Sequence, residues 1–488
     1  MIAGIDLGTQ GIKVLLLRDD FRPLARSFVE YPTSFPQPGW AEQQPALWDQ
    51  ALGKAMREAL GQAGLRPEAV KAIGITGQLD GCLGIGQDGR PLTPCLIWMD
   101  RRAHLEMPKA LLRHMRRVAG VNPDPGHMAA KLRWLLDNVP ESVNAACFHQ
   151  PVSYRVRRLT GNNVCDHSLA STTMLYGLAA QKYDSNLLQV FGVSREWLPR
   201  IGRAEDRAGP LSESGAELSG LPAGTPVAVG TGDDFASPLG AGLVDPGDVA
   251  CVLGTAEVVG ALSQIPVIDA EGLVETHPYP GGSYFVENPG WLSGGSLSWF
   301  IDVFRLATIE ELTRCAQAVP PGSAGVLFLP ALNGSMAPEW VPAARGCFYG
   351  LTAAHTTGHM ARAVLEGCAF AMRDVIDRLK KLSVPADRVL LMGGGAKSRL
   401  WAQIRADVCN MTVRRIVDVD TAPIGAAMLG AVAAGLRPDL RRCAEELKGE
   451  WEDFPPNPAT SAAYEKAYCR GHRMFDSLRP MFANREGE

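Results

Sequence analysis

The chain has no long run of one charge, no long apolar stretch and no closely paired cysteines, and each absence excludes a class of protein. Lysine and arginine number 48 against 52 aspartates and glutamates, for a net charge of −4, with no extended Lys/Arg run. Nucleic-acid binding leaves a basic footprint, and none is present. No uninterrupted apolar stretch reaches the roughly 18 residues that a membrane-spanning helix needs, so no membrane contact is expected. The eleven cysteines are scattered, with no C-x-x-C among them. This argues against a disulfide framework or a zinc site and for reduced, mostly buried thiols in a cytoplasmic protein. A charged leader with a cleavage site ahead of the first apolar run is also lacking, and no targeting segment is expected. No G-x-x-x-x-G-K-[ST] occurs, which disfavours a Walker-type ATPase, and the Gly393-Gly394-Gly395 triplet lacks the spacing of a dinucleotide fingerprint.

What is present is an α/β pattern on a large scale. At 488 residues, 46% apolar and 20% charged, the chain is too long for one ordinary core, and two domains are expected. Trp48, Leu52, Met56 and Leu60 form one helical stripe, followed by the β-like run "VKAIGITG". The alternation returns in the second half. There Met360, Val364, Cys368, Met372, Val375 and Leu379 share a helical face, and "DRVLLMGGG" follows as strand and turn. The Gly/Pro/Asp-rich stretch at 240–250 marks the expected boundary, giving domains 1–244 and 245–488. A last amphipathic helix, with Tyr464, Tyr468, Phe475 and Leu478 in register, is expected to pack back on the body.

Two short segments echo each other. "GIDLGTQGIKVLLL" (4–17) and "ACVLGTAEVVGAL" (250–262) each read strand, Leu-Gly-Thr, strand, the mark of a duplicated architecture with two facing loops. A glycine in such a turn lets backbone N–H groups approach an anion, and the threonine adds a hydroxyl. Facing across a cleft, Gly8-Thr9 and Gly254-Thr255 could cradle successive phosphates, with Asp6 beside them to hold Mg²⁺ directly or through water. Either turn alone also reads as an ordinary hairpin with Asp6 a local acceptor. The segment "VLLMGGGAKSRLW" adds a glycine-rich strand-to-helix turn, a frequent place of nucleotide contact.

Together these segments resemble the FGGY carbohydrate kinases over nearly the whole chain. "GIDLGTQGIK" is similar to their first phosphate loop, "GWAEQQPALW" to a segment soon after it, and "GTGDDFASPLGAG" to the stretch holding their catalytic base. The most specific match is "GCFYGLTAAHTTGHMARAVLE" (346–366), and "LMGGGAKSRLW" resembles their adenosine-binding turn. The resemblance implies a two-domain actin-like ATPase (ribonuclease H-like) fold with a central interdomain cleft. It also implies an activity, transfer of phosphate from ATP, with Mg²⁺, to a sugar or polyol hydroxyl. Asp233, directly after Gly232, is the implied base; simple capping of the next helix is the alternative from the residues alone. Asp234 stands where relatives often carry Asn and is expected to orient substrate. Asp6 is assigned to Mg²⁺. Thr9, Gln10 and Lys13 are assigned to the first loop beside Gly8, and Gly254 and Thr255 to the second. Gly295, Gly394, Gly395 and Ala396 are expected to approach the nucleotide. Gln10 departs from the Ser or Thr usual there, and Lys13 reads equally as an exposed strand lysine.

For substrate, Gln78, Leu79 and Asp80 occupy the family's selectivity positions. Gly77-Gln78 with an apolar Leu79 is similar to the xylulose-kinase pattern, but Asp80 replaces its His. A carboxylate can accept hydrogen bonds from two neighbouring hydroxyls, so Asp80 still suits a polyol or open-chain ketose. In contrast, "MAPEW" (336–340) is closer to the glycerol-kinase version. Asp100 and Arg102 resemble a W-x-D-x-R segment common to both, and Asp100 is expected at the substrate. Three functions follow: a pentulose kinase with D-xylulose first, a kinase of glycerol or another polyol or ketose, or a non-metabolic actin-like ATPase. The expected partner is a small sugar or polyol, and a homodimer is left open.

Overall fold

The computed structural model describes residues 1–417, 419–447, 449 and 451–483. Its frame is one sheet design used twice. In the first half, strands Ile2–Leu7, Gly11–Leu17 and Pro23–Glu30 form an antiparallel meander. Ile2–Leu7 then pairs in parallel with Ala72–Gly77, which pairs in parallel with Pro226–Ala228. In the second half, Gly247–Leu253, Ala256–Ser263 and Tyr284–Leu292 repeat the meander, and Gly247–Leu253 pairs in parallel with Ala386–Met392. Thr412–Ile416 follows in parallel, and Glu275–Pro278 closes the far edge against Tyr284–Leu292. Each sheet has seven strands. The two Leu-Gly-Thr turns therefore occupy equivalent corners, each joining the first two strands of its sheet.

Local sequence explains the covering helices. Pro45 opens the helix Pro45–Ala63, and Gly64 closes it in the left-handed conformation at φ 63°, donating its N–H to Gly61 and Leu60 carbonyls. Trp48, Leu52 and Met56 are buried on its inner face. The helix Thr357–Lys381 buries the stripe from Val364 to Leu379 in the second core. The last helix, Pro458–Ala483, returns to that core through Tyr464, and Phe475 joins a satellite cluster. Among the described residues no helix is long and apolar enough to cross a membrane.

The waist between the sheets is built from two small-residue helices, Asp233–Gly240 and Thr421–Ala433. The second comes from the C-terminal half yet lies on the first sheet. A Cβ on Gly74 would overlap the Ala426 carbonyl, and one on Gly4 the Pro423 carbonyl. Around this crossing a third core joins Leu15, Phe235, Leu262, Met392 and Met428 from both halves. Gly74→Ala is therefore expected to destabilise the protein by about 1–3 kcal/mol through overpacking. A thermal melt reads this as a drop of several degrees, and an unchanged melting temperature would contradict the close contact.

Candidate active site

The end expected to take phosphate is assembled from backbone. In the first turn the Gly8 N–H donates to the Gly11 carbonyl at 3.1 Å; in the second, Gly254 donates to Ala256 at 2.9 Å. Three separate glycine segments then meet at the second turn. The Gly295 N–H donates to the Thr255 carbonyl at 3.0 Å. Gly393, at φ +89°, passes so close that a Cβ would lie 2.7 Å from the Leu253 carbonyl. Gly393 needs glycine for its approach and its dihedral, and beside Gly295 it is Gly294 that needs it for approach, since a Cβ there would lie 2.3 Å from the Gly254 carbonyl. One detail differs from expectation. The triplet leads into a 3₁₀ turn, Gly394–Lys397, and the α-helix begins only at Arg399, where Ser398 Oγ accepts the Trp401 N–H. Gly394 has open space where a side chain would be, whereas the Ala396 side chain is buried in the core. Only backbone is offered to a ligand at Ala396.

Beside the first turn, Lys13 Nζ lies 3.6 Å from both Asp6 Oδ2 and Asp420 Oδ1. Lys13 is thus tied to the site and not simply an exposed strand lysine. Burial pushes the Asp6 carboxyl above its ordinary range, Lys13 pulls it down, and Asp420 raises it. Asp6 Oδ1 is buried without a hydrogen-bond partner. A lone carboxylate oxygen of this kind fits Mg²⁺, which takes one or two carboxylates and completes its shell with water and phosphate. Among the described residues no group of three or more His, Cys, Asp or Glu forms a dedicated metal cage. The Thr9 hydroxyl accepts from Trp98 Nε1 at 2.9 Å, and the Thr9 carbonyl accepts from Gln43 Nε2 at 2.7 Å, while the Gln10 side chain is exposed.

Next to this end opens a cleft of about 620 Å³ bounded by both halves of the chain. Gln78, Leu79, Asp80, Asp233, Asp234 and Thr9 line it. Thr231–Gly232 pairs with Thr76–Gly77, which brings Asp233 to the sheet's end as the first residue of its helix. The cap is Gly232 and no side chain caps the turn, so helix capping does not account for Asp233. Burial, then Asp234, then Asp6 raise the Asp233 carboxyl well above the ordinary range. Burial and Asp80 push Asp234 up to about 7.

The Gln78 amide is oriented by a relay. Trp48 Nε1 can only donate, and it donates to Gln43 Oε1, which also accepts Gln78 Nε2 at 2.8 Å. Gln78 Oε1 is left buried and unpartnered. Asp80 has φ 55° and is held at its backbone: its N–H donates to Gln150 Oε1, and its carbonyl accepts from Lys131 Nζ, both at 2.8 Å. Its Oδ1 lies 3.2 Å from His127 Nδ1, and His127 Nε2 lies 3.1 Å from the Asn122 carbonyl. With an acceptor on each nitrogen the ring carries both protons. Burial opposes that charge, but Asp80 overrides it and raises His127 to about 9.

Asp100 is a correction. It is fully buried, accepts the Ala41 N–H at 2.7 Å, and binds Arg102, which in turn reaches Glu42 and lies over the Trp40 ring. Both its oxygens are engaged within the protein, so Asp100 fixes the loop that carries Trp98 and does not face the cleft. Conversely, the cleft contains His127, Glu275, His277 and Glu287, none of them expected from the sequence. Glu287 had a legible signal, an acid inside a largely apolar strand, whereas Glu275 opens the polar segment Glu275–Pro278 and had none. Burial raises Glu275 to about 7 and lowers His277 to about 3. Burial followed by Asp234 and Glu275 pushes Glu287 well up.

A duplicated sheet frame, glycine turns whose neighbours Thr9 and Ala256 line one cleft, and the half-buried acid Asp233 in that cleft point to a phosphotransferase of the actin-like ATPase fold. Models of the FGGY family of carbohydrate kinases match residues 1–240 (N-terminal domain) and 249–434 (C-terminal domain). The chain belongs to that family, whose members transfer phosphate to an alcohol group. It is 32% identical to a xylulose kinase of Escherichia coli, over 99% of this chain and all of that one. It is also 30% identical to a glycerol kinase of Thermococcus kodakarensis, over 92% of this chain and 91% of that one. The ligand-bound xylulose kinase from Lactobacillus acidophilus superposes with a TM-score of 0.91 at 26% identity, covering 99% of both chains. Membership in a kinase family overturns the third expectation, a non-metabolic ATPase.

Proposed function

We propose that this chain transfers the γ-phosphate of ATP to a hydroxyl of a pentulose, with D-xylulose the first candidate. The observation that carries the proposal is Asp233, a half-buried acid that opens its helix at a strand's end in the cleft. Phosphoryl transfer to a hydroxyl needs positioning, charge neutralisation and a proton acceptor. Asp233 takes the proton from the attacking hydroxyl, while Asp234, Gln78 and Asp80 hold the neighbouring hydroxyls. The backbone of Gly8, Gly254, Gly295, Gly394 and Gly395 holds the nucleotide with Thr9 and Thr255, and Lys13 offsets phosphate charge. Asp6 would hold Mg²⁺, which supplies neutralisation of the triphosphate. The halves 1–244 and 245–488 act as the two walls of the cleft. Apolar Leu79, packed against Gly232, supports a ketose over glycerol, as does the full-length match to a xylulose kinase. Eleven cysteines, none in a disulfide, support a cytoplasmic setting.

One observation favours a polyol instead: Trp340 of the "MAPEW" segment lines the cleft. A panel of ketoses and polyols in a coupled ADP-release assay separates the two. D-xylulose or a close pentulose should give the highest kcat/KM; glycerol exceeding every ketose would reverse the order.

Asp80 is tested by Asp80→Asn, because Asn tolerates the positive φ where Ala would add strain. Losing a hydrogen bond to a charged group costs about 1.5–3 kcal/mol, or roughly ten- to hundredfold in kcat/KM. The loss should shrink for analogues lacking the hydroxyl that Asp80 reads. Equal losses for all substrates together with a lowered melting temperature would assign Asp80 to holding His127 and the turn.

A further inference from the structure

At the sugar end of the cleft, two lining residues have a buried side-chain atom without a partner, and both atoms are acceptors. One is Gln78 Oε1, fixed in that role by the Trp48–Gln43 relay. The other is Glu287 Oε2, on a side chain only 3% exposed. Glu287 comes from the second domain's Tyr284–Leu292 strand and stands beside Glu275 of the neighbouring strand, the pair Glu275↔Glu287 being directly opposite in register. Between them His277 Nε2 lies 3.6 Å from Glu287 and 3.8 Å from Glu275, and burial keeps that ring uncharged.

The nearby cations each have a partner. Arg101 pairs with Asp124, and His127 lies between Asp80 and the Asn122 carbonyl. The Lys131 ammonium donates to the Asp80 and Ile97 carbonyls. Among the described residues lining this end, no buried cation is left to meet an incoming carboxylate; Arg101 is half exposed and pairs with Asp124 through one nitrogen. Glu275, Asp234 and Asp233 crowd the same space as Glu287, and the burial and mutual repulsion that push these carboxyls up weigh equally against a further anion there.

We infer that Glu287, with Glu275, is a specificity-determining residue that the second domain supplies to the sugar site. Its free oxygen accepts from substrate hydroxyls, and the acid pair rejects substrates carrying a carboxylate. The substrate class is thereby uncharged, hydroxyl-rich sugars and not sugar acids. This rests on the kinase reading above.

The test uses the purified full chain in an ADP-release assay with D-gluconate and with the best neutral sugar of the panel. Wild type should use D-gluconate at least 10²-fold less well in kcat/KM. Glu287→Gln should narrow that ratio at least tenfold, chiefly through KM, with an unchanged melting temperature; Glu275→Gln should act in the same direction more weakly. If Glu287→Gln does not fold, Glu275→Gln and the wild-type ratio decide. The inference is overturned if wild type accepts D-gluconate as well as the neutral sugar, or if the variants that fold leave the ratio within twofold. Turnover of a neutral sugar with an unchanged ratio overturns the inference alone. Absence of ADP release with every acceptor overturns the kinase reading with it.

Discussion

Asp233→Asn is expected to leave the fold and nucleotide binding intact and to lower turnover by about 10²–10⁴-fold, the range for removal of a positioned general base. Asn keeps the volume and the helix start after Gly232 but cannot take a proton from the attacking hydroxyl. The environment adds a pH signature. Burial first, then Asp234 and Asp6, raise the Asp233 carboxyl. A base works only when ionised, so kcat/KM should fall as pH drops through this raised value. The acid limb should lie well above the ordinary aspartate pKa of about 3.9. Asp234→Asn removes one of the repelling charges and leaves burial in place, so it should shift the limb toward lower pH at modest cost in rate. A loss below tenfold for Asp233→Asn with the best substrate, measured in the ADP-release assay, would remove Asp233 from the chemistry.

The duplication was legible because it is written in local sequence. Leu7-Gly8-Thr9 and Leu253-Gly254-Thr255 sit in the same turn of two like meanders, and the strand and helix periods around them agree with the observed elements. Asp233 was legible for the same reason, as an acid directly after a Gly-Thr-Gly strand end. What stayed hidden depends on partners distant in the chain. Asp100 resembles a site acid in its own segment, and only the Ala41 amide and the Arg102–Glu42 pair show it to be internal. Gly4 and Gly74 look like ordinary strand glycines until the Thr421–Ala433 helix, from the far end of the chain, is laid across them. Asp420 stands just before that helix and there reaches Lys13, a juxtaposition no spacing rule contains. Likewise, Glu287 stands out as an acid in a largely apolar strand, but only the sheet edge sets it opposite Glu275.

Asp6→Ala should separate the two ends of the cleft. Asp6 is buried, carries one unpartnered oxygen, and shares Lys13 with Asp420. It does not line the proposed sugar end, where Gln78, Asp80 and Asp233 lie. Removing the carboxylate takes away the proposed Mg²⁺ ligand, and metal stabilisation of developing phosphoryl charge contributes several kcal/mol. A loss of roughly 10²–10³-fold in kcat/KM for ATP follows at 1.36 kcal/mol per decade. The same change should leave sugar affinity within a few-fold. A second effect runs through Lys13, whose ammonium would be left to Asp420 alone. Asp6→Asn distinguishes the two contributions, since its amide keeps the volume and can hydrogen-bond but binds a hard divalent cation poorly. If the metal role dominates, Asp6→Asn should lose nearly as much as Asp6→Ala, and raising Mg²⁺ should recover part of the activity of both. Calorimetry of the variants with Mg²⁺-nucleotide and with sugar reads the two affinities separately. Normal Mg²⁺-nucleotide affinity with lost sugar affinity would place Asp6 with the sugar and undo the assignment of the first turn to phosphate.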